Sequence, residues 1–193
     1  MISTAEEKQL WNRALFFLER GRPGDTEHTR ATVDNGKALL AKEGGNPRVV
    51  IPALILHDVG WSQVDFSDFI TAPGEAKTDA GSTHLHMRYG AEIASDILND
   101  LKWNSALIQR ITAIIAVHDI PEEVRALDDL DATLVFEADW LDKYSPERQE
   151  RYVRAVKGQR GVEELRRFLD MYKSQWFQTV TARELLAQIA SGA

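Results

Sequence analysis

Apolar residues recur along this chain at intervals of three and four positions, the spacing that places them on one face of an α helix. Alternating apolar and polar runs of the kind that indicate β strands are scarce. Residues that cap or stop helices accompany the periodic segments from one end of the chain to the other. The pattern therefore predicts an all-α fold built as one helical bundle.

Nine helices follow from this pattern. The first begins at Ser3 or Thr4, each of which has a glutamate three residues later in capping-box spacing. The third enters through Asn46 and Pro47, or begins at Pro52, and its apolar run "VVIPALILHD" indicates a central, buried helix. The predicted helices span about 4–20, 25–43, 47–58, 81–100, 105–118, 132–144, 146–157, 161–173 and 181–191.

The segment 61–79 has no clear periodicity and follows the pair His57-Asp58 directly. Long connections in compact domains tend to be functional, so we expect this one to lie beside a site. No repeat or linker divides the chain. The sequence predicts a single domain over residues 1–193, with a metal-binding core at about 25–145 and C-terminal helices at about 146–191.

The amino-acid composition excludes some kinds of catalytic site and some kinds of partner. With 193 residues and no cysteine, the chain can bury a sizeable core but has no thiolate for catalysis or for zinc. The net charge of -7 argues against a nucleic-acid polymer as the partner, although residues 143–173 carry nine Lys or Arg against five Asp or Glu. No signal-like N-terminus or membrane-length apolar run is visible, so we expect a cytoplasmic protein with no membrane partner.

Six ionisable residues occupy apolar helix faces or helix ends. Each alone is more often a hydrogen-bonded core residue than a ligand. Together they leave buried carboxylates without a visible Arg or Lys on the same faces, and bound cations would compensate them. The six residues are His28, His57, Asp58, His86, His118 and Asp139.

Six protein ligands are too many for one metal ion with an open position, so the simplest arrangement is two ions that share a carboxylate. Asp58 is the natural bridge, because it adjoins a ligand and is central in the chain order. Imidazole and carboxylate without thiolate suit iron, manganese, cobalt, nickel or zinc, and geometry and supply decide among them. We expect iron or manganese, with zinc, nickel, cobalt and magnesium as alternatives.

The segment "THLHMRYG" contains two histidines, and helical geometry distinguishes them. His86 shares a face with Gly90, Ile93 and Ile97, whereas His84 lies about 200° away. The apolar face therefore selects His86 as the ligand, and Gly90 would allow another backbone to approach closely.

In this order the residues resemble the HD superfamily of metal-dependent phosphohydrolases. His28 in "DTEHTRATV", the pair in "LILHDVGW" and Asp139 in "FEADWLD" match its ordered signature over about residues 25–145. His86 and His118 match the two added histidines of its binuclear branch. The Gly-Tyr-Pro element of the cyclic dinucleotide phosphodiesterases in that branch is missing, which leaves the subgroup open.

Several residues outside the six candidate ligands could also have a role at the site. Lys143, one turn after Asp139, would either bind a substrate phosphate or form an ion pair with that aspartate. Asp119 is expected to be a helix-end or supporting group, and Trp61 either packs in the core or stacks on a base. The stripe Arg148, Arg151, Arg154 and Lys157 would either draw anionic substrates toward the site or form a solvated face paired with Glu147 and Glu150, and we expect the solvated face.

The resemblance implies a phosphohydrolase with two metal ions that acts on a small phosphomonoester, nucleotide or dinucleotide. The metals would activate a water molecule, with Asp58 as the catalytic residue that orients or bridges the nucleophile. A di-iron oxygenase with the same ligands and a non-catalytic, metal-stabilised sensing module are the alternatives. The sequence leaves the oligomeric state open, a homodimer included.

Overall fold

A computed structural model describes residues 2–65, 80–155 and 176–191. Within these ranges the chain forms α helices and one 3-10 helix, with no strand, so the predicted all-α class is confirmed. The helices are α1 Thr4–Leu18, α2 Asp25–Glu43, α3 Pro47–Leu56, the 3-10 helix Val59–Gln63, α4 Ala80–Asp100, α5 Ser105–Ile115, α6 Pro121–Ala126, α7 Leu130–Lys143, α8 Pro146–Ala155 and α9 Val180–Ser191.

The sequence signals for helix starts operate as expected. The Ser3 hydroxyl accepts the Glu6 amide at 3.2 Å, and the Glu6 carboxylate accepts the Ser3 amide at 2.8 Å, which completes a capping box. The Asn46 side chain accepts the Arg48 amide at 3.0 Å, so α3 begins at Pro47 and Pro52 lies inside it.

Helix α3 is the centre of the bundle because its apolar side chains from Val49 to Leu56 are all shielded from solvent. Every residue from 49 to 56 is buried, and α1, α2, α5 and α7 pack around them. Helix α4 packs against α5 and against the 3-10 helix. The pair His57-Asp58 therefore follows directly after the most deeply buried helix of the core.

Two glycines allow the 3-10 helix to lie against α4. A Cβ on Gly60 would stand 1.9 Å from the His86 carbonyl oxygen and 2.4 Å from the Gly90 nitrogen, so only glycine fits. The close approach expected at Gly90 is thus a contact between the two backbones. It brings the residues after α3 next to the turn of α4 that carries His86.

The C-terminal helix is fastened to the core by a buried carboxylate. Glu137 on α7 accepts the amides of Gln178 at 2.5 Å and Thr179 at 2.8 Å, and the Thr179 hydroxyl at 2.6 Å. Helix α9 also packs on α2 and α7. These contacts support the expected single domain, which stays a prediction.

Some local expectations were wrong. Helix α5 ends at Ile115, so His118 follows the helix instead of ending it, and neither α6 nor the 3-10 helix was expected. Both unexpected helices are too short for periodicity to reveal them. The expected helix 161–173 and most of the connection 61–79 lie outside the described residues. No described helix is both long and apolar enough to span a bilayer.

Candidate metal centre

The structure brings all six predicted ligands to one place, and all six side chains are buried. They come from five places in the bundle: the first turn of α2, the end of α3, which provides two of them, the second turn of α4, the turn after α5 and the last turns of α7. They are His28, His57, Asp58, His86, His118 and Asp139. His84 is exposed on the outer side of α4.

The two carboxylate oxygens of Asp58 divide the four histidines into pairs. Its Oδ2 lies 3.4 Å from Nε2 of both His28 and His57. Its Oδ1 lies 3.7 Å from Nε2 of His86 and 3.8 Å from Nε2 of His118. The two groups that could hold an ion, His28-His57-Asp58 and Asp58-His86-His118, therefore share only Asp58. We name them the first site and the second site.

Asp139 belongs to the first site. Its Oδ1 lies 2.9 Å from Nε2 of His28 and 3.8 Å from Nε2 of His57. Metal-ligand bonds of about 2.0–2.2 Å set ligand atoms roughly 3–3.5 Å apart. The spacing of these atoms is thus close to what a single bound ion requires.

All four imidazoles present the same nitrogen to the centre. Nδ1 of His57 lies 2.7 Å from the Leu54 carbonyl, and Nδ1 of His118 lies 2.8 Å from the Ile115 carbonyl. Nδ1 of His86 faces the Ser82 carbonyl at 3.4 Å. A proton on Nδ1 that is donated outward fixes the tautomer with a lone pair on Nε2, which is the form that binds metals.

The fourth imidazole is held by a carboxylate that sequence reasoning missed. Nδ1 of His28 lies 2.6 Å from Oδ2 of Asp142, a buried residue on α7. Asp142 stands three positions after Asp139 and so projects from the same side of the helix. That spacing was the available signal, and Asp142 completes a carboxylate-histidine pair of the kind that supports metal ligands.

Two further donors hold the Asp58 carboxylate from outside. Nη2 of Arg22 lies 2.5 Å from Oδ2, and the indole N–H of Trp61 donates to Oδ1 at 3.0 Å. Arg22 precedes α2 in the segment "GRPGD", so it is on no apolar helix face. The expectation that no basic residue compensates these carboxylates was therefore wrong, because the cation comes from a loop.

Lys143 is the second cation, and it forms the ion pair that was one of its two interpretations. Its Nζ lies 3.1 Å from Oδ2 of Asp139 and 2.7 Å from Oδ1 of Asp119. It also stands 3.7 Å from the ring centroid of Trp140. Asp119 is thus a supporting group, as expected, while substrate binding by Lys143 stays a prediction.

Trp61 is fully engaged within the site. Its ring stacks on His86 with centroids 4.1 Å apart, and the Arg22 guanidinium carbon is 4.2 Å from the ring centroid. It is buried, which favours the packing interpretation over stacking on a base. Its position supports both a histidine and the carboxylate between the two sites.

The pKa values of the ligand side chains shift in different directions. Burial favours the neutral form of Asp58, but Arg22 and then His57 outweigh burial and hold its pKa well below the usual range. Burial likewise opposes charge on His57, but Asp58 and Asp139 outweigh it and raise its pKa to about 9. For His86, burial first and His118 second lower the pKa to about 3.

The donor set fits metal ions. Nε2 of His86 is buried and makes no hydrogen bond with any residue that the structure describes. An imidazole lone pair in that position, beside a carboxylate and a second imidazole, is a ready ligand for a divalent cation. The residues of both sites are therefore compatible with divalent metal binding.

Comparison with known proteins agrees with this geometry. The HD domain profile matches residues 26–144, a range that contains all six residues. The chain belongs to the HD domain family. Its predicted resemblance is thereby confirmed, and the family supports a metal-dependent hydrolase in general. No curated protein matches this HD domain chain significantly in sequence.

A solved structure shares the fold of this HD domain chain. It is the crystal structure of a predicted HD superfamily hydrolase from an uncultured Thermotogales bacterium. The superposition has a TM-score of 0.62 at 19% sequence identity, and it covers 96% of this chain and 85% of the other. At that identity the match shows the common fold, and the chemistry of this HD domain has to be argued from its own residues.

Proposed function

We propose that this HD domain protein is a phosphohydrolase whose two metal ions share Asp58, and that its substrate is a small phosphomonoester, nucleotide or dinucleotide. In the first site, His28, His57, Asp58 and Asp139 would hold one ion. In the second site, Asp58, His86 and His118 would hold the other. Iron and manganese are the ions that we expect first.

The observation that carries the proposal is the environment of the Asp58 carboxylate. Each of its oxygens accepts a hydrogen bond from one outer donor, Arg22 at Oδ2 and Trp61 at Oδ1. Each oxygen also faces a different pair of histidine Nε2 atoms. A carboxylate oxygen accepts more than one partner, so both can bind a cation without losing the outer bond. This arrangement supports the proposal that Asp58 bridges two ions.

Metal ions held by these residues would supply an activated water molecule and would polarise phosphoryl oxygens. The protein supplies position and charge. Arg22 and Trp61 fix the orientation of Asp58, Asp142 fixes that of His28, and Lys143 stands beside Asp139. Asp58 stays ionised because its pKa is held low, and that allows it to orient a nucleophile between the two sites.

The test begins with elemental analysis of freshly purified protein. The metal-free chain is then reloaded with manganese or iron and assayed against phosphomonoesters, nucleotides and phosphodiesters. We expect hydrolysis that requires metal and that is lost in Asp58→Ala but retained in Asp96→Ala, which changes an exposed aspartate of α4. A metal-loaded wild type that hydrolyses none of these substrates would contradict the proposal. Oxygen consumption by the iron form would favour the oxygenase instead.

A further inference from the structure

Arg22 contacts the metal centre and also reaches solvent. It bonds the carboxylates of Asp58 at 2.5 Å and Asp25 at 3.0 Å, while 30% of its side chain stays accessible. These two bonds use two of the five guanidinium N–H groups. The remaining N–H groups have no hydrogen-bond partner among the residues that the structure describes, and they are available to an anion.

Arg148 is linked through hydrogen bonds to the residue that holds His28, and its charge interacts with those of Arg22 and Asp58. Its backbone amide donates to the Ser145 hydroxyl at 3.2 Å, and that hydroxyl donates to Asp142 at 3.1 Å, the residue that holds His28. Within the described ranges no carboxylate forms an ion pair with the Arg148 guanidinium. Burial first and the charge of Arg22 second lower its pKa, with Asp58 also within electrostatic range. The side chain is half-buried, so it does not belong to the solvated stripe expected from the sequence.

The summed formal charge of the side chains around these arginines would change sign if two divalent ions were bound. Five carboxylates surround three Arg or Lys side chains, Arg22, Lys143 and Arg148, so the formal charges of these eight side chains sum to minus two. The carboxylates are Asp25, Asp58, Asp119, Asp139 and Asp142. Two divalent ions reverse that balance. A loaded centre would therefore attract anions, and the partly exposed Arg22 and Arg148 would add to its positive field.

From this arrangement we propose that Arg22 and Arg148 bind the terminal phosphate of the substrate, so the enzyme hydrolyses phosphomonoesters in preference to phosphodiesters. This inference rests on the proposed function. Two guanidinium groups near each other repel, and an anion between them relieves the repulsion in proportion to its charge. A phosphomonoester carries nearly two negative charges at neutral pH, whereas a diester carries one. Guanidinium also pairs with two phosphate oxygens at once.

The test measures binding of inorganic phosphate and of dimethyl phosphate to the manganese-loaded full-length chain by titration calorimetry. Inorganic phosphate represents the dianionic group, and dimethyl phosphate represents the monoanionic diester. We compare wild type with Arg148→Ala and Arg148→Gln. The matched control is Arg88→Ala, because Arg88 is an exposed arginine on α4 whose ion pair is with Glu92.

We expect wild type to bind inorganic phosphate at least about tenfold more tightly than dimethyl phosphate. Both Arg148 variants should lose at least about tenfold in phosphate affinity and most of that preference, while retaining the wild-type metal content and melting temperature. Arg88→Ala should match wild type. Equal phosphate affinity in wild type and Arg148→Ala, with two metals bound to each, would overturn this inference alone. A wild type that binds no metal would overturn the proposed function as well.

Discussion

The first and second sites share Asp58, yet their surroundings differ. In the first, Asp139 and Asp142 both contact His28, at 2.9 Å and 2.6 Å, and the imidazoles of His28 and His57 are 3.2 Å apart at Nε2. In the second, the Oδ1 atom of Asp58 faces Nε2 of His86 at 3.7 Å and Nε2 of His118 at 3.8 Å, and Nε2 of His86 has no hydrogen bond among the described residues.

This difference shows how each site is satisfied without a metal. Carboxylates surround the first site, and the pKa of His57 rises to about 9 because Asp58 and Asp139 outweigh burial. A proton on His57 can therefore replace a cation. In the second site burial and then His57 lower the pKa of His118, and burial and then His118 lower that of His86 to about 3. The Nε2 lone pairs of His86 and His118 therefore stay available to a metal ion. The second site has one carboxylate ligand and the first has two, so we expect the second site to bind its ion more weakly.

The largest effect should come from Asp58→Ala, because this change removes the one ligand that both sites share. We expect both metals to be lost, with affinities reduced by more than the 10–100-fold typical of an outer partner. Elemental analysis after gel filtration measures the loss, and Asp96→Ala serves as the control. Retention of two tightly held metals by Asp58→Ala would rule out the bridging role.

The next effect separates the two sites. His86→Ala should empty the second site and leave the first occupied, because His86 is buried beside Asp58 Oδ1. His84→Ala should change metal content little, since His84 is exposed and α4 already begins at Ala80. A side-by-side metal titration at equal protein concentration compares them. Equal loss in both variants, or greater loss in His84→Ala, would mean that the wrong histidine was chosen.

A smaller change should weaken the first site alone. Asp142→Asn removes the charge that orients His28 but preserves size, and we expect metal affinity there to fall by about 10–100-fold. The second site should keep its affinity, because the imidazole that Asp142 orients, His28, belongs to the first site. Competition with a chelator measures both affinities, and Asp34→Asn, an exposed change on α2, is the control. Equal weakening of the two sites would contradict their independence.

The smallest effect is expected at Trp61. Trp61→Phe retains an aromatic ring against His86 but removes the N–H that donates to Asp58 at 3.0 Å. One hydrogen bond to a charged group is worth about 1.5–3 kcal/mol, part of which a water molecule would restore. We expect a second-site affinity reduced by about tenfold or less. If the first site weakened more than the second, the assignment of Oδ1 to the second site would be wrong.

Helical periodicity predicted the parts of this centre that lie on helix faces. It separated His86 from His84, placed Asp139 inward and identified α3 as the buried helix, because each conclusion depends on positions within one helix. It also predicted the close approach at Gly90, although the partner backbone at Gly60 became visible only in three dimensions.

Helical periodicity did not predict the contacts that join different helices and loops. Arg22 lies 36 positions before Asp58, in a turn whose glycines and proline indicate only a change of direction. Asp119 and Lys143 meet across 24 positions, and the cap that Glu137 gives to Thr179 spans 42. No local pattern records which loop cation will approach which buried carboxylate. Asp142 is the exception, since its spacing from Asp139 was readable and was overlooked.

We propose that Asp58 joins two unequal metal sites, and a metal titration of the metal-free wild type with a competing chelator tests this proposal. We predict two manganese ions per chain, bound in two resolved steps, with the weaker step absent from His86→Ala and the tighter step retained. A single ion per chain in the wild type, or two steps that disappear together in His86→Ala, would contradict this account.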